Sequence, residues 1–136
     1  MSGLVLVSAG ALIDRDGRVL VTTRPAGRDH AGLWEFPGGK LEPGEAPEVA
    51  LIRELVEEIG VSTEASCLAP FAFATDPKRE EPLVLMLFVC RKWKGVPTPC
   101  EGQETRWVRP SALMDLDMPP MDRPLAAQLR DFLMEF

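Results

Sequence analysis

The segment GKLEPGEAPEVALIRELVEEIGV, residues 39–61, constrains this chain more than any other. Pro47 suits the first turn of a helix, where its missing N–H costs nothing. Gly60 suits the left-handed position just past a helix end. A helix from Pro47 to about Ile59 is therefore predicted. At roughly 100° per residue, Glu54, Glu57 and Glu58 share one face of it. Leu51, Ile52, Leu55, Val56 and Ile59 take the other side and need a sheet to bury against. Arg53 stands at the border, four residues before Glu57.

Like charges at i,i+4 cost a few tenths of a kcal/mol per pair even when exposed. Here no cation follows Arg53 until Lys78. Three carboxylates beside a glycine turn with a free carbonyl make an oxygen-only donor set, which suits Mg²⁺ or Mn²⁺. Spacing alone leaves two readings open, a divalent-metal site and a solvated acidic face.

The flanking sequence supplies the sheet. Residues 4–13 and 19–23 are apolar runs around Asp14-Arg15-Asp16-Gly17, the clearest hairpin signal in the chain. Residues 24–32 read as a loop carrying Arg24, Arg28 and a solvated His30, and residues 33–36 as a short strand. Pro37-Gly38-Gly39-Lys40 reads as a turn where backbone can approach a ligand closely. Residues 67–75 and 104–109 are predicted strands. Residues 83–93 form a nearly continuous apolar strand, expected to be central and covered on both faces. Residues 110–114 look like one helical turn and 118–123 like irregular chain. Residues 124–136 form an amphipathic helix with Leu125, Leu129, Phe132 and Leu133 on one side. Separated helices among more numerous strands imply a mixed sheet with helices on its faces.

At 136 residues and 46% apolar, the whole of residues 1–136 is expected to be one domain with a real core. A net charge of −6 argues against a nucleic-acid or anionic-membrane binder. Cys67, Cys90 and Cys100 are an odd set without CxxC spacing, as reduced thiols in a cytoplasmic protein would be. The apolar start has no Lys or Arg before it and reads as a buried strand rather than a signal peptide. No run reaches the ~20 apolar residues that span a bilayer. A soluble cytoplasmic protein, monomer or homodimer, is expected.

Gly39, Glu45 and the run Arg53-Glu54-Leu55-Val56-Glu57-Glu58-Ile59-Gly60-Val61 together resemble the Nudix box, with each fixed residue at its spacing. Leu33-Trp34-Glu35-Phe36-Pro37-Gly38-Gly39-Lys40 before it is similar to MutT-type members of that family. So are Trp93-Lys94-Gly95 leading to Glu101-Gly102-Gln103, and Pro119-Pro120-Met121-Asp122-Arg123-Pro124. The resemblance covers nearly the whole chain. It implies an α/β fold, an α/β/α sandwich around a mixed sheet. It also implies Mg²⁺-dependent hydrolysis of a nucleoside triphosphate to monophosphate and pyrophosphate, with Mn²⁺ as a substitute.

Carried over residue by residue, the resemblance implies metal ligands at the Gly38 carbonyl and the carboxylates of Glu54, Glu57, Glu58 and Glu101. Glu54 is the first choice of general base, oriented by Arg53, with Glu57 or Glu101 as alternatives. Arg24 and Lys40 match phosphate-contacting positions. Phe36, Val7 and Asp122 match the base pocket, although Phe36 and Val7 read equally as core and Asp122 as a helix start. Gly39, Glu45 and Gly60 support the box. The polar loop of residues 76–82 and an Asp rather than an Asn at 122 depart from the oxidised-guanine enzymes and leave room for a cytosine-type triphosphate. Two alternatives stand beside this: hydrolysis of ADP-ribose or another nucleoside diphosphate conjugate, and a non-catalytic module that binds a damaged base.

Overall fold

A computed structural model describes residues 3–28 and 30–134. Among the described residues seven strands and two α-helices follow one another: β1 (Val5–Leu12), β2 (Val19–Thr23), β3 (Trp34–Glu35), β4 (Gly38–Lys40), α1 (Pro47–Ile59), β5 (Leu68–Asp76), β6 (Leu83–Cys90), β7 (Thr105–Val108) and α2 (Asp122–Met134). Short 3-10 helices cover Ala65–Cys67 and Pro110–Asp115. A mixed four-stranded sheet runs β4-β1-β6-β5, and an antiparallel three-stranded sheet runs β3-β2-β7. β1 and β6 are parallel over their whole length, from Val5 opposite Leu83 to Leu12 opposite Cys90.

Strand alternation sends successive side chains to opposite faces, and each face is covered by one helix. Leu12, Leu20, Phe88 and Cys90 pack with Leu51, Leu55 and Ile59 of α1. Ala11, Ile13, Val19, Val21, Leu85 and Leu87 pack with Leu125, Ala126 and Leu129 of α2. This is the expected α/β/α layering, with β6 central and apolar on both faces. Leu51, Leu55 and Ile59 are fully buried, and each contributes about 1.5–3 kcal/mol of burial free energy. Ser8 Oγ donates to the Pro47 carbonyl at 2.8 Å and fixes the start of α1 over β1.

Four expectations are corrected. The Asp14–Gly17 turn forms, closed by Asp14 Oδ1 accepting the Asp16 and Arg18 N–H groups at 3.0 and 2.8 Å. The strands it joins do not form a hairpin, however. They pair only at Ile13–Val19 and then part into separate sheets, because β4 and β6 already occupy both edges of β1. The Pro37–Lys40 turn is instead β4, with Ser8 opposite Gly39 and Ala9 opposite Gly38. Val56 is 48% exposed; it lies roughly 100° from the centre of the Leu51–Leu55–Ile59 stripe, beyond the reach of the sheet. The last helix begins at Asp122 rather than Pro124, and Phe132 on it is half-exposed while its ring packs on Phe71, with 5.3 Å between centroids. The predicted end of that helix at 135–136 lies outside the described residues.

Candidate active site

Helix α1 ends as Gly60 allows. At φ 68° Gly60 turns left-handed, its N–H donates to the Val56 carbonyl, and the Val61 N–H donates to that of Leu55. The three acids then differ by angular position. Glu58 lies next to the buried stripe, Glu54 roughly 40° further round, and Glu57 roughly 100° away from Glu58. Burial follows that order: Glu58 and Glu54 are half-buried and Glu57 is exposed.

β4 runs alongside this acidic face. The Gly38 N–H donates to Glu58 Oε2 at 2.9 Å. A Cβ on Gly39 would lie 2.6 Å from both Glu54 carboxylate oxygens, so glycine here leaves Glu54 room to stand where it does. A Cβ on Gly38 would overlap the Ser8 carbonyl oxygen. Arg53 binds Glu45 through Nε and Nη2, each at 2.9 Å, and Glu54 Oε1 through Nη1 at 2.8 Å. Its Nη2 also donates to the Lys40 carbonyl at 3.2 Å, and Glu57 lies 3.5 Å from Nη1. Arg53 thus ties α1, the 41–46 loop and β4 together.

Burial pushes the Glu58 carboxyl up to about 8; the Gly38 N–H opposes this, and Glu35, Glu54 and Glu101 add repulsion. Burial also raises Glu54, against the Arg53 hydrogen bond. Among the described residues no three His, Cys, Asp or Glu side chains already converge on one point. Glu54 is drawn to Arg53 and Glu58 to Gly38, which keeps like charges apart. The donors are all oxygen and carry a shared repulsion that a divalent cation would relieve. They fit such a group, with Glu54, Glu57, Glu58 and Glu101 as the available carboxylates.

A second acidic cluster lies beside the first. Asp122 is 6% exposed at the start of α2, with the Phe36 backbone N–H on the side of its charged form. Burial pushes its carboxyl up to about 7, helped by repulsion from Glu35 and opposed by Arg24. Glu35 is raised by burial too, although Arg24 Nη1 donates to its Oε1 at 2.9 Å. Arg24 therefore sits with the acids of this second cluster. Lys40 is exposed at the end of β4. Phe36 is 3% exposed, within the core cluster that α2 covers, and Val7 is half-buried against that cluster.

Sequence reasoning missed Glu35. It acts on both Glu58 and Asp122 and so links the two clusters. The available signal was an acid between Trp34 and Phe36 in a strand, a position that needs a polar partner.

The NUDIX domain pattern matches residues 5–129. The chain belongs to the Nudix family. Among its Nudix relatives, the 8-oxo-dGTP diphosphatase of Escherichia coli strain K12 is 33% identical over 124 residues, spanning 91% of this chain and 95% of the relative. The CTP pyrophosphohydrolase of the same strain is 36% identical over 118 residues, spanning 85% and 84%. The solution structure of the E. coli ORF135 protein superposes with a TM-score of 0.84 at 31% identity, over 96% of this chain and 91% of that one. The Nudix fold and a pyrophosphohydrolase acting on acid anhydrides of phosphorus follow from these matches together. Among the described residues no helix is long and apolar enough to cross a membrane.

Proposed function

We propose that residues 1–136 form one Nudix domain that hydrolyses a modified or ordinary (deoxy)nucleoside triphosphate to the monophosphate and pyrophosphate, with Mg²⁺ as the working cation. The observation that carries this reading is the meeting of α1 and β4, where Glu54 and Glu58 lie against Gly39 and Gly38. A divalent cation bound there would screen the phosphate oxygens and make water a better nucleophile at neutral pH. Glu54 is the general base in this reading. Burial raises its carboxyl toward the operating pH, which favours proton acceptance, and Arg53 fixes its orientation at 2.8 Å. Lys40 and Arg24 supply the cations that an anionic substrate needs in an acidic protein.

The base is read by Asp122 and Glu35. Two neighbouring carboxyls, one with its carboxyl raised to about 7, offer acceptors to an exocyclic amine and a donor when one of them is protonated. That pairing suits a cytosine-type or 8-oxoguanine base, the substrate types named for the relatives above. Such an enzyme works on the nucleotide pool of the cytoplasm and needs no nucleic-acid partner. Competitive turnover of 8-oxo-dGTP, dCTP, 5-methyl-dCTP and ADP-ribose with Mg²⁺ tests the reading. One of the triphosphates should have the highest kcat/KM; preference for ADP-ribose would favour the diphosphate-conjugate alternative instead.

A further inference from the structure

The loop that carries Glu101 is fastened to α1 by a buried amide. Gln103 is 7% exposed. Its Nε2 donates to the Glu58 carbonyl at 2.9 Å, and its Oε1 accepts the Glu101 N–H at 2.8 Å. The same Glu58 carbonyl accepts the Cys100 N–H at 2.9 Å, and the Ile59 carbonyl accepts the Thr98 N–H at 2.9 Å. The last carbonyls of a helix have no partner within it, so the 98–103 loop caps this end of α1.

Gln103 differs from the other two contacts because it reaches Glu101 itself. One side chain spans from the backbone of Glu101 to the backbone of Glu58. The Glu58 side chain at the same residue holds β4 through Gly38. The charge of Glu101 acts on both Glu54 and Glu58, so Gln103 fastens the loop within electrostatic range of those two acids. An amide suits this role, because one end must donate and the other accept.

We infer that Gln103 is the positioning residue that keeps Glu101 near the carboxylates of Glu54 and Glu58. This rests on the reading of Glu101 as a working acid of the site. Gln103 acts through Glu101 and Glu58 and has no contact with the reacting atoms in this role.

Four proteins test it beside the wild type: Gln103→Leu, Gln103→Glu, Glu101→Gln and the double variant Gln103→Leu/Glu101→Gln. Each is assayed for kcat and KM with Mg²⁺ on 8-oxo-dGTP or dCTP, whichever turns over faster. Amide hydrogen exchange is followed on the metal-free proteins. Gln103→Leu should lower kcat about 10–100-fold, as loss of a group that orients a ligand residue typically does, with KM moving less. The Glu101 amide should lose its protection, and the double variant should be no slower than Glu101→Gln. Gln103→Glu keeps the acceptor and loses the donor, so it should also lower kcat, and it decides the matter if the leucine variant does not fold. Unchanged kcat and Glu101 protection in the Gln103 variants, or losses that multiply in the double variant, would overturn the inference. Wild-type kcat in Glu101→Gln would overturn the reading of Glu101, and this inference with it.

Discussion

Arg53 grips Glu45, eight residues earlier, with two nitrogens, Nε and Nη2, each 2.9 Å from a carboxylate oxygen. The grip leaves Nη1 free to hold Glu54 at 2.8 Å. A planar fork can make both contacts at once and an ammonium cannot. Arg53→Lys should therefore lower kcat about 10–100-fold while leaving the fold intact, as circular dichroism and steady-state kinetics would show together.

Glu45 has its own acid signature. The Arg53 hydrogen bond pulls its carboxyl down to about 2, from a usual 4.5. A depressed folded-state pKa means stability that is present above the unfolded value and lost as pH falls through the folded one. The Tm difference between wild type and Glu45→Gln should be full above about pH 5 and vanish toward pH 2. A difference that is constant with pH would contradict the pairing.

Glu58 should behave in the opposite sense. Its carboxyl is raised to about 8 by burial, so the metal-free fold loses stability as pH rises from about 4.5 to 8. Gln at 58 can still accept the Gly38 N–H and stays neutral. In EDTA, Glu58→Gln should melt above the wild type by a few degrees at pH 8 and level with it near pH 5; about 1 kcal/mol corresponds to roughly 2–8 °C. Thermal melts across this range check the sign.

Asp122 is the titrating member of the proposed base pocket. Its carboxyl is raised to about 7, so the acceptor-only form accumulates between about pH 6 and 8. If an amine on the base binds that form, the ratio of wild-type to Asp122→Asn kcat/KM for dCTP should rise across this window. A flat ratio would remove Asp122 from base recognition.

The two glycines of β4 should fail differently. A Cβ on Gly38 meets the backbone of Ser8, which cannot move without disturbing the β1–β4 pairing. A Cβ on Gly39 meets only the end of the Glu54 side chain, which can swing aside. Gly38→Ala should cost about 1–3 kcal/mol of stability. Gly39→Ala should keep most of its stability and lose kcat because Glu54 is displaced. Denaturation midpoints and kcat, measured on both, separate the two effects.

Much of this arrangement is legible in the sequence where the determinants are local. Pro47, the Leu51–Leu55–Ile59 spacing and Gly60 all act within one helix, and α1 spans Pro47–Ile59. The failures lie where distant chain decides. The Asp14–Gly17 turn signals a hairpin, but β6, some seventy residues on, pairs with every residue of β1 and leaves β2 to another sheet. Pro37–Lys40 carries turn residues, yet the free edge of β1 draws Gly38–Lys40 into pairing. Glu35 looks like one acid in a two-residue strand, and its importance comes from Glu58 and Asp122, which the fold brings to it. Gln103 has no local signal for its role, because its partner carbonyl is 45 residues away.

In the proposed function the carboxylates between α1 and β4 drive attack on a diphosphate linkage. The decisive measurement follows the phosphorus products of wild type and Glu54→Gln with Mg²⁺ and a deoxynucleoside triphosphate. The expected result is monophosphate and pyrophosphate from the wild type, with kcat at least about 10²-fold lower in Glu54→Gln, the scale of a lost general base. Orthophosphate as the sole inorganic product, or a wild-type rate in Glu54→Gln, would contradict it.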